Sequence, residues 1–224
     1  MEKVLRMGAM TVGIFMLAAF CAISMFLNVT TDGERYHEIQ TALNVDAGVD
    51  SETMRELDGL LAGYLAGNKD ALDGTDMFNA DEKAHMVDVY NIFAALRVIK
   101  NAAFAVSVLL LVLVYYKRKN YSVMQLRLGI IFGVMLFFLP FIAVGAWAAV
   151  DFNSAFIKMH EILFTNELWI MNPQTDLMIR MLPEAFFLKL GVEAALKAAA
   201  GALLVPMVIF IGTIDWEKAA KKNT

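Results

Sequence analysis

Residues 126–150 read LRLGIIFGVMLFFLPFIAVGAWAAV, and after Arg127 the run carries no charged side chain. A helix needs about 20 such residues to cross a hydrocarbon core of about 30 Å. Irregular backbone or an open strand facing lipid would leave its amides unsatisfied, so the run reads as a membrane-spanning helix. Three more segments meet the same test: Met7–Val29, Val98–Tyr116 and a last one from about Leu190 to Trp216. The chain has 224 residues, is 59% hydrophobic and has a mean hydropathy of +0.57. Four apolar runs account for that share better than one oversized water-soluble core. The expected fold class is an all-α membrane protein of four transmembrane helices with a mainly helical extracytoplasmic cap.

Basic residues orient the spans, because cytoplasmic flanks collect Lys and Arg. Lys3 and Arg6 precede the first span, Lys117, Arg118, Lys119 and Arg127 surround the short loop between spans two and three, and Lys218, Lys221 and Lys222 follow span four. Placing all three clusters inside gives a multi-pass membrane protein with both termini cytoplasmic. The expected organisation is 1–29 for span one and its short N-terminal flank, 30–96 for an extracytoplasmic cap, 97–116 for span two and 117–125 for a cytoplasmic loop. Span three follows at 126–150, then a second extracytoplasmic segment at 151–189, span four at 190–216 and a cytoplasmic tail at 217–224. Span one is longer than the apolar core of a secretory signal and lacks a small-residue cleavage site, so it reads as retained.

The cap segment is acidic, with 14 Asp/Glu against four Lys/Arg between residues 30 and 96. Met54, Leu57, Leu60, Leu61, Tyr64 and Leu65 recur at helical spacing, with Thr53 and Glu56 placed as a capping box before them and Gly67 as a stop. Asn79 and Glu82 form a second box-like start, from which Met86, Val89, Tyr90, Phe93 and Leu96 continue toward span two. A shorter helix is expected over Glu34–Leu43. The second segment opens with Phe152, Phe156, Met159, His160 and Leu163 on one helical face, turns at Asn172–Pro173, and contributes Phe164, Trp169, Phe186 and Phe187 as an aromatic belt. Pro140 and Pro206 are expected to kink their helices.

The net charge of −4 offers no basic patch for nucleic acid. One cysteine, Cys21, and three histidines exclude an intrachain disulfide and zinc sites of Cys/His spacing. The histidines, His37, His85 and His160, all fall outside the spans. Imidazole is the side chain whose ordinary pKa suits proton transfer near neutrality, although packing or capping alone would also explain such positions. On a helix Glu82, His85 and Asp88 are three apart, so either carboxylate is placed to fix the imidazole's tautomer. His160 lies among Phe156, Phe164 and Trp169, where desolvation favours the neutral ring. Asp176 and Arg180, four apart, are spaced to pair.

Two runs carry a resemblance. Glu82-Lys-Ala-His85-Met86-Val-Asp88-Val89, and the longer stretch from His160-Glu-Ile-Leu-Phe164-Thr-Asn166-Glu-Leu-Trp169 through Pro173, Asp176 and Pro183 to Phe187, resemble the bacterial lipoprotein intramolecular transacylase family. The order of four spans with one long early loop matches as well. The sequence departs from the family pattern at Tyr90, where a basic residue is expected, and at Leu182, where an aromatic is.

The resemblance implies a location in the bacterial cell membrane and an extracytoplasmic active site with His85 and His160 as the catalytic pair. It also implies transfer of the sn-2 acyl chain of an S-diacylglyceryl lipoprotein onto the α-amino group of its own N-terminal cysteine, giving a lyso-form lipoprotein. Diacylglyceryl-modified lipoproteins and membrane lipids are the expected partners, with no nucleic acid, no metal and no cofactor. Glu82, Asp88, Phe164, Asn166, Trp169, Asp176, Arg180 and Phe187 are the expected supporting or substrate-binding residues. Asn166 and the Trp169 indole are expected as oxyanion donors, His160 as base and His85 as its acid partner. His85 lies 12 residues before Arg97, so a bend before span two or an earlier start to that span is expected. A non-catalytic accessory protein that binds lipids or lipoproteins through its cap is the alternative, and a metal-dependent hydrolase is disfavoured by the histidine count.

Overall fold

The computed structural model describes residues 2–222. Met1 and the last two residues of the expected tail lie outside them, as do the side chains of Lys3, Arg118, Lys218, Lys221 and Lys222. The elements are α1 (Glu2–Thr30), α2 (Gly33–Leu43), α3 (Ser51–Ala66), α4 (Ala80–Tyr116), α5 (Val123–Val150), α6 (Phe152–Leu163), α7 (Leu177–Met181) and α8 (Glu184–Lys222), with a short 3₁₀ turn at Arg118–Asn120. No strand occurs among the described residues. The helices α1, α4, α5 and α8 are each long and apolar enough to cross a membrane. Pro140 and Pro206 sit inside α5 and α8 without ending them. The helix that carries span two starts well before Arg97, since α4 runs without interruption for 37 residues from Ala80.

The chain divides into two compact units. One combines the first part of α1 with Arg97–Gly145 and the α8 residues from Lys197 onward. Met10, Ile14, Val114, Leu126 and Ile130 form one buried cluster there, and Ala18, Ala22, Phe137 and Ala202 another. Helix packing in lipid favours small residues that let backbones approach. Gly129 and Gly133, four apart on α5, serve that purpose against α1. A Cβ at Gly129 would lie 2.7 Å from the Met10 Cβ, and one at Gly133 2.7 Å from the Thr11 carbonyl oxygen. Elsewhere the span surfaces are apolar and exposed, as at Leu139, Ile142 and Leu204, which suits lipid contact. Arg6 donates to the Asn120 carbonyl at 2.6 Å, and Arg127 donates to Thr213 Oγ1 at 3.1 Å.

The other unit comprises Phe26–Leu96 and Ala146–Leu196. Its core holds Tyr36, Ile39, Met54, Leu57, Leu61, Met178, Met181 and Phe186, so the helical stripe expected of α3 does face inward. Of the face expected on α6, His160 is buried while Met159 and Leu163 are exposed. The start of α3 differs from the expected box. Asp50 is the N-cap, and its Oδ1 accepts from the Glu52 and Thr53 N–H groups at 3.0 and 2.9 Å. The helix starts before the expected box, so Thr53 lies in its first turn and its hydroxyl donates to Asp50 Oδ2 at 2.8 Å. Gly67 stops the helix at φ +129°, a backbone conformation that side chains disfavour.

A polar tie runs through this core. Gln40 Nε2 donates to Asp58 Oδ1 at 2.9 Å and to the Met181 carbonyl at 3.1 Å, joining α2, α3 and α7. Asp58 is wholly buried, and its Oδ2 has no hydrogen-bond partner, with His37 Nδ1 3.7 Å away. Burial pushes the carboxyl up to about 7, against the Gln40 bond that favours the ionised form and with Glu34 adding to the rise. Because the folded state holds this proton to higher pH than the unfolded chain does, stability declines as pH rises from the ordinary carboxylate range toward 7. Asp58→Asn keeps the Gln40 acceptor and removes the titration. Thermal unfolding in detergent is expected to show variant and wild type alike near pH 4, and the variant more stable by about 5 °C near pH 8.

Candidate active site

His85 stands in the second turn of α4, and the start of that helix fixes its position. Asn79 Oδ1 accepts the Glu82 N–H at 2.9 Å while Glu82 Oε2 accepts the Asn79 N–H at 2.7 Å, the reciprocal capping box expected from the sequence. Glu82 is 2% exposed. Its second oxygen, Oε1, accepts the Met178 N–H of α7 at 2.6 Å, across 96 positions of chain. One buried carboxylate thus begins α4 and holds α7 against it. Asp176 reinforces the join, accepting from Asn79 Nδ2 at 2.9 Å, the Thr175 hydroxyl at 2.8 Å and the Asn172 N–H at 2.7 Å. The Asn172 amide and Thr175 hydroxyl hold its carboxyl below the usual range.

His160 comes from α6, which Asp151 caps by accepting the Ser154 N–H at 3.0 Å. The His160 Nδ1 lies 2.7 Å from the Phe156 carbonyl oxygen. A carbonyl can only accept, so Nδ1 carries the proton and Nε2 the lone pair. Aromatic rings surround it: Phe156 at 4.3 Å between centroids, Trp169 at 5.1 Å and Phe164 at 5.6 Å. Phe187 packs behind Phe156 at 5.1 Å. The His85 ring lies 6.4 Å from His160, the planes 26° apart, and Phe164 meets it edge-on at 5.0 Å. The structure therefore brings together both histidines and three of the expected aromatics.

Both rings are more than nine-tenths buried. Burial pushes His85 down to about 4, with His160 adding to the depression and Asp88 opposing it. Burial also holds His160 below its ordinary value, opposed by its bond to the Phe156 carbonyl. Two neutral imidazoles at pH 7 follow from desolvation of the charged form.

Several expected roles are filled differently. Neither Glu82 nor Asp88 hydrogen-bonds His85, whose Nδ1 is buried without a partner. Glu82 is occupied by amides of the cap and of α7, while Asp88 Oδ2 accepts from Asn166 Nδ2 at 2.8 Å. The Trp169 indole N–H, expected as an oxyanion donor, is taken by the Asn166 carbonyl at 3.0 Å. Asp176 and Arg180 do not form a side-chain pair, since Arg180 Nε donates to the Asp176 backbone carbonyl at 3.3 Å. His37 stays with Ser51 and Asp58. The sequence reading missed Gln40, which gave no signal, and Asp58, which gave one: it interrupts the apolar stripe four residues after Met54 and three before Leu61.

A cleft of about 280 Å³ lined by Asp81, Glu82, Asn166, Glu167, Met171 and Asp176, among others, shares Glu82 and Asn166 with the surroundings of the histidines. A larger depression of about 410 Å³ around Asp32, Gly33, Glu34 and Arg55 contains neither histidine. Chemistry therefore locates the site better than volume does. No group of three or more potential metal ligands occurs among the described residues.

A family model described as lipoprotein intramolecular transacylase Lit matches residues 7–187. The fold matches a solved structure of the membrane-integral lipoprotein intramolecular transacylase Lit from Bacillus cereus at 20% identity and TM-score 0.75, covering 97% of this chain and 98% of that one. A His-to-Arg variant of that protein matches at 21% identity and TM-score 0.76, covering 98% and 95%. Among curated proteins no sequence matches significantly.

The Glu82 join makes a specific prediction. Glu82→Gln retains one acceptor oxygen but turns an NH₂ toward the other backbone N–H, leaving a buried donor unsatisfied at a cost of about 1–3 kcal/mol. Hydrogen exchange read by mass spectrometry is expected to speed up about tenfold or more in peptides covering residues 172–182, with peptides from α5 unchanged.

Proposed function

The chain belongs to the lipoprotein intramolecular transacylase family and is an acyltransferase, and from that premise we propose a two-histidine acid–base mechanism for it. The sn-2 acyl chain of an S-diacylglyceryl lipoprotein moves to the α-amino group of the same N-terminal cysteine, and the product is the lyso-form. The observation that carries this reading is the pair of buried imidazoles, one locked as a tautomer and 6.4 Å from the other.

His160 acts as the base. Its Nε2 lone pair accepts a proton from the attacking amine, and the Phe156 carbonyl stabilises the imidazolium through Nδ1–H. The departing glyceryl oxygen needs a proton, which His85 supplies. The Phe156 carbonyl supports a cation on His160, whereas His85 Nδ1 has no such acceptor, so His160 is suited to the base role and His85 to the acid role. The acyl group never leaves the substrate, so the step requires no enzyme nucleophile, and conversion of an ester to an amide is downhill. The protein's larger contribution is to hold two ends of one flexible molecule together in a dry, aromatic-walled site.

The topology supports an extracytoplasmic site. The basic flanks at Arg6 and Arg127 belong to the cytoplasmic side under the positive-inside rule, which leaves both termini inside and residues 30–96 and 151–189 outside.

Mass spectrometry of a lipoprotein's N-terminal peptide tests the assignment. His85→Ala and His160→Ala are each expected to lower lyso-form production by about 10²-fold or more, with normal accumulation of the protein in membranes. Unchanged product in either variant would remove that histidine from the mechanism and favour an accessory role in binding lipoproteins.

A further inference from the structure

The proton that His85 gives to the glyceryl oxygen must come from somewhere, because burial keeps the ring neutral at pH 7. We propose that Asp88 docks the substrate's α-ammonium group and that the docked ammonium charges His85 through its partnerless Nδ1. The docking role rests on the acyl-transfer reading of the site.

Asp88 is three residues after His85 on α4, so the two side chains share a helix face. It is close enough for its charge to act on His85, yet it makes no hydrogen bond to that ring. Asn166 engages one carboxylate oxygen, Oδ2; among the described residues no donor meets Oδ1 and no Lys or Arg pairs with Asp88. A half-buried carboxylate with a spare oxygen and no counter-charge is suited to a small cation. His85 Nδ1 points independently to a missing ligand. It is a buried ring nitrogen, more than nine-tenths covered, with no partner, and such atoms are normally satisfied. Asn166 also lines the adjacent acidic cleft, where Asp81 and Glu167 add negative potential. In intramolecular acyl transfer the substrate brings one cation to the reacting centre, its own terminal ammonium, which is largely protonated at neutral pH.

The proton count closes with this ligand. The ammonium on Asp88 passes its first proton to His85 Nδ1, giving a free amine and an imidazolium. The amine attacks the sn-2 carbonyl, the N–C bond forms, and the second proton goes to His160 Nε2. The ester C–O bond breaks, and His85 gives its proton to the glyceryl oxygen. His160 then releases its proton to solvent. An ammonium and an ester have become an amide, a hydroxyl and one free proton.

The bland alternative is that Asp88 only anchors Asn166. Two dialkyl-ether analogues of an S-glyceryl-cysteinyl dipeptide, which have no transferable acyl group, separate the two roles. One has a free amino terminus and the other an N-acetyl cap. Wild-type protein in micelles is expected to bind the free-amino analogue about tenfold or more tightly than the capped one. Asp88→Asn keeps an acceptor for Asn166, so it should leave the capped analogue's affinity unchanged and shrink the preference to under about threefold. Asp88→Glu should retain most of it. An undiminished preference in Asp88→Asn, or none in wild type, would overturn the docking role. Wild type that binds neither analogue would instead count against the acyl-transfer reading.

Discussion

Glu82 is the tie on which the geometry of the site depends. A buried carboxylate is tolerable only where its lone pairs are met. Here the two oxygens are met by N–H groups from the start of α4 and from α7, ninety-six residues further along. That arrangement sets the register of two segments remote in sequence and fixes where His85 emerges from its helix. The neighbouring contacts, Asn79 with Asp176 and Asp88 with Asn166, repeat the same pairing between α4 and the stretch after α6. Gln40 and Asp58 hold the far side of α7 through the Met181 carbonyl. A five-residue helix has little stability of its own, so α7 depends on these bonds for its place.

What the ties build is a dry setting for two imidazoles. Phe156, Phe164 and Trp169 remove water from His160, and Phe164 closes on His85. Desolvation depresses both rings, while the Phe156 carbonyl supports a cation on His160 and His160 itself opposes one on His85. Two chemically identical side chains therefore meet different neighbours, one with a carbonyl acceptor on Nδ1 and one with none.

Much of this was legible in the sequence. The four spans follow from apolar length alone and the stripe of α3 from helical spacing, whereas Met159 and Leu163 of the face expected on α6 are exposed. The Asn79–Glu82 box was readable because its partners are three residues apart and the motif is local. The same feature made Glu82 misleading. Its spacing to His85 suggested a bond to the ring, whereas the Met178 amide, invisible in any local window, claims that oxygen. Asp176 and Arg180 failed for a related reason, since Asn79, Asn172 and Thr175 supply enough donors to Asp176 that no cation is required. Gln40 could not be found from pattern, because a buried amide bridging a carboxyl and a distant carbonyl leaves no periodic trace. The Gly129–Gly133 pair on α5 was readable as a close-packing motif only once its partner helix was known.

The central claim is that burial holds His85 and His160 as a neutral pair, with His160 fixed as the Nδ1–H tautomer. Nitrogen-15 spectra of selectively histidine-labelled protein in micelles address it directly, since the chain holds three histidines and single substitutions assign them. The account predicts that both rings remain neutral at pH 7, that each titrates below the ordinary imidazole value of about 6.5, and that the His160 shifts report a proton on Nδ1. A His160 proton on Nε2, or either ring titrating at or above the ordinary value, would contradict it.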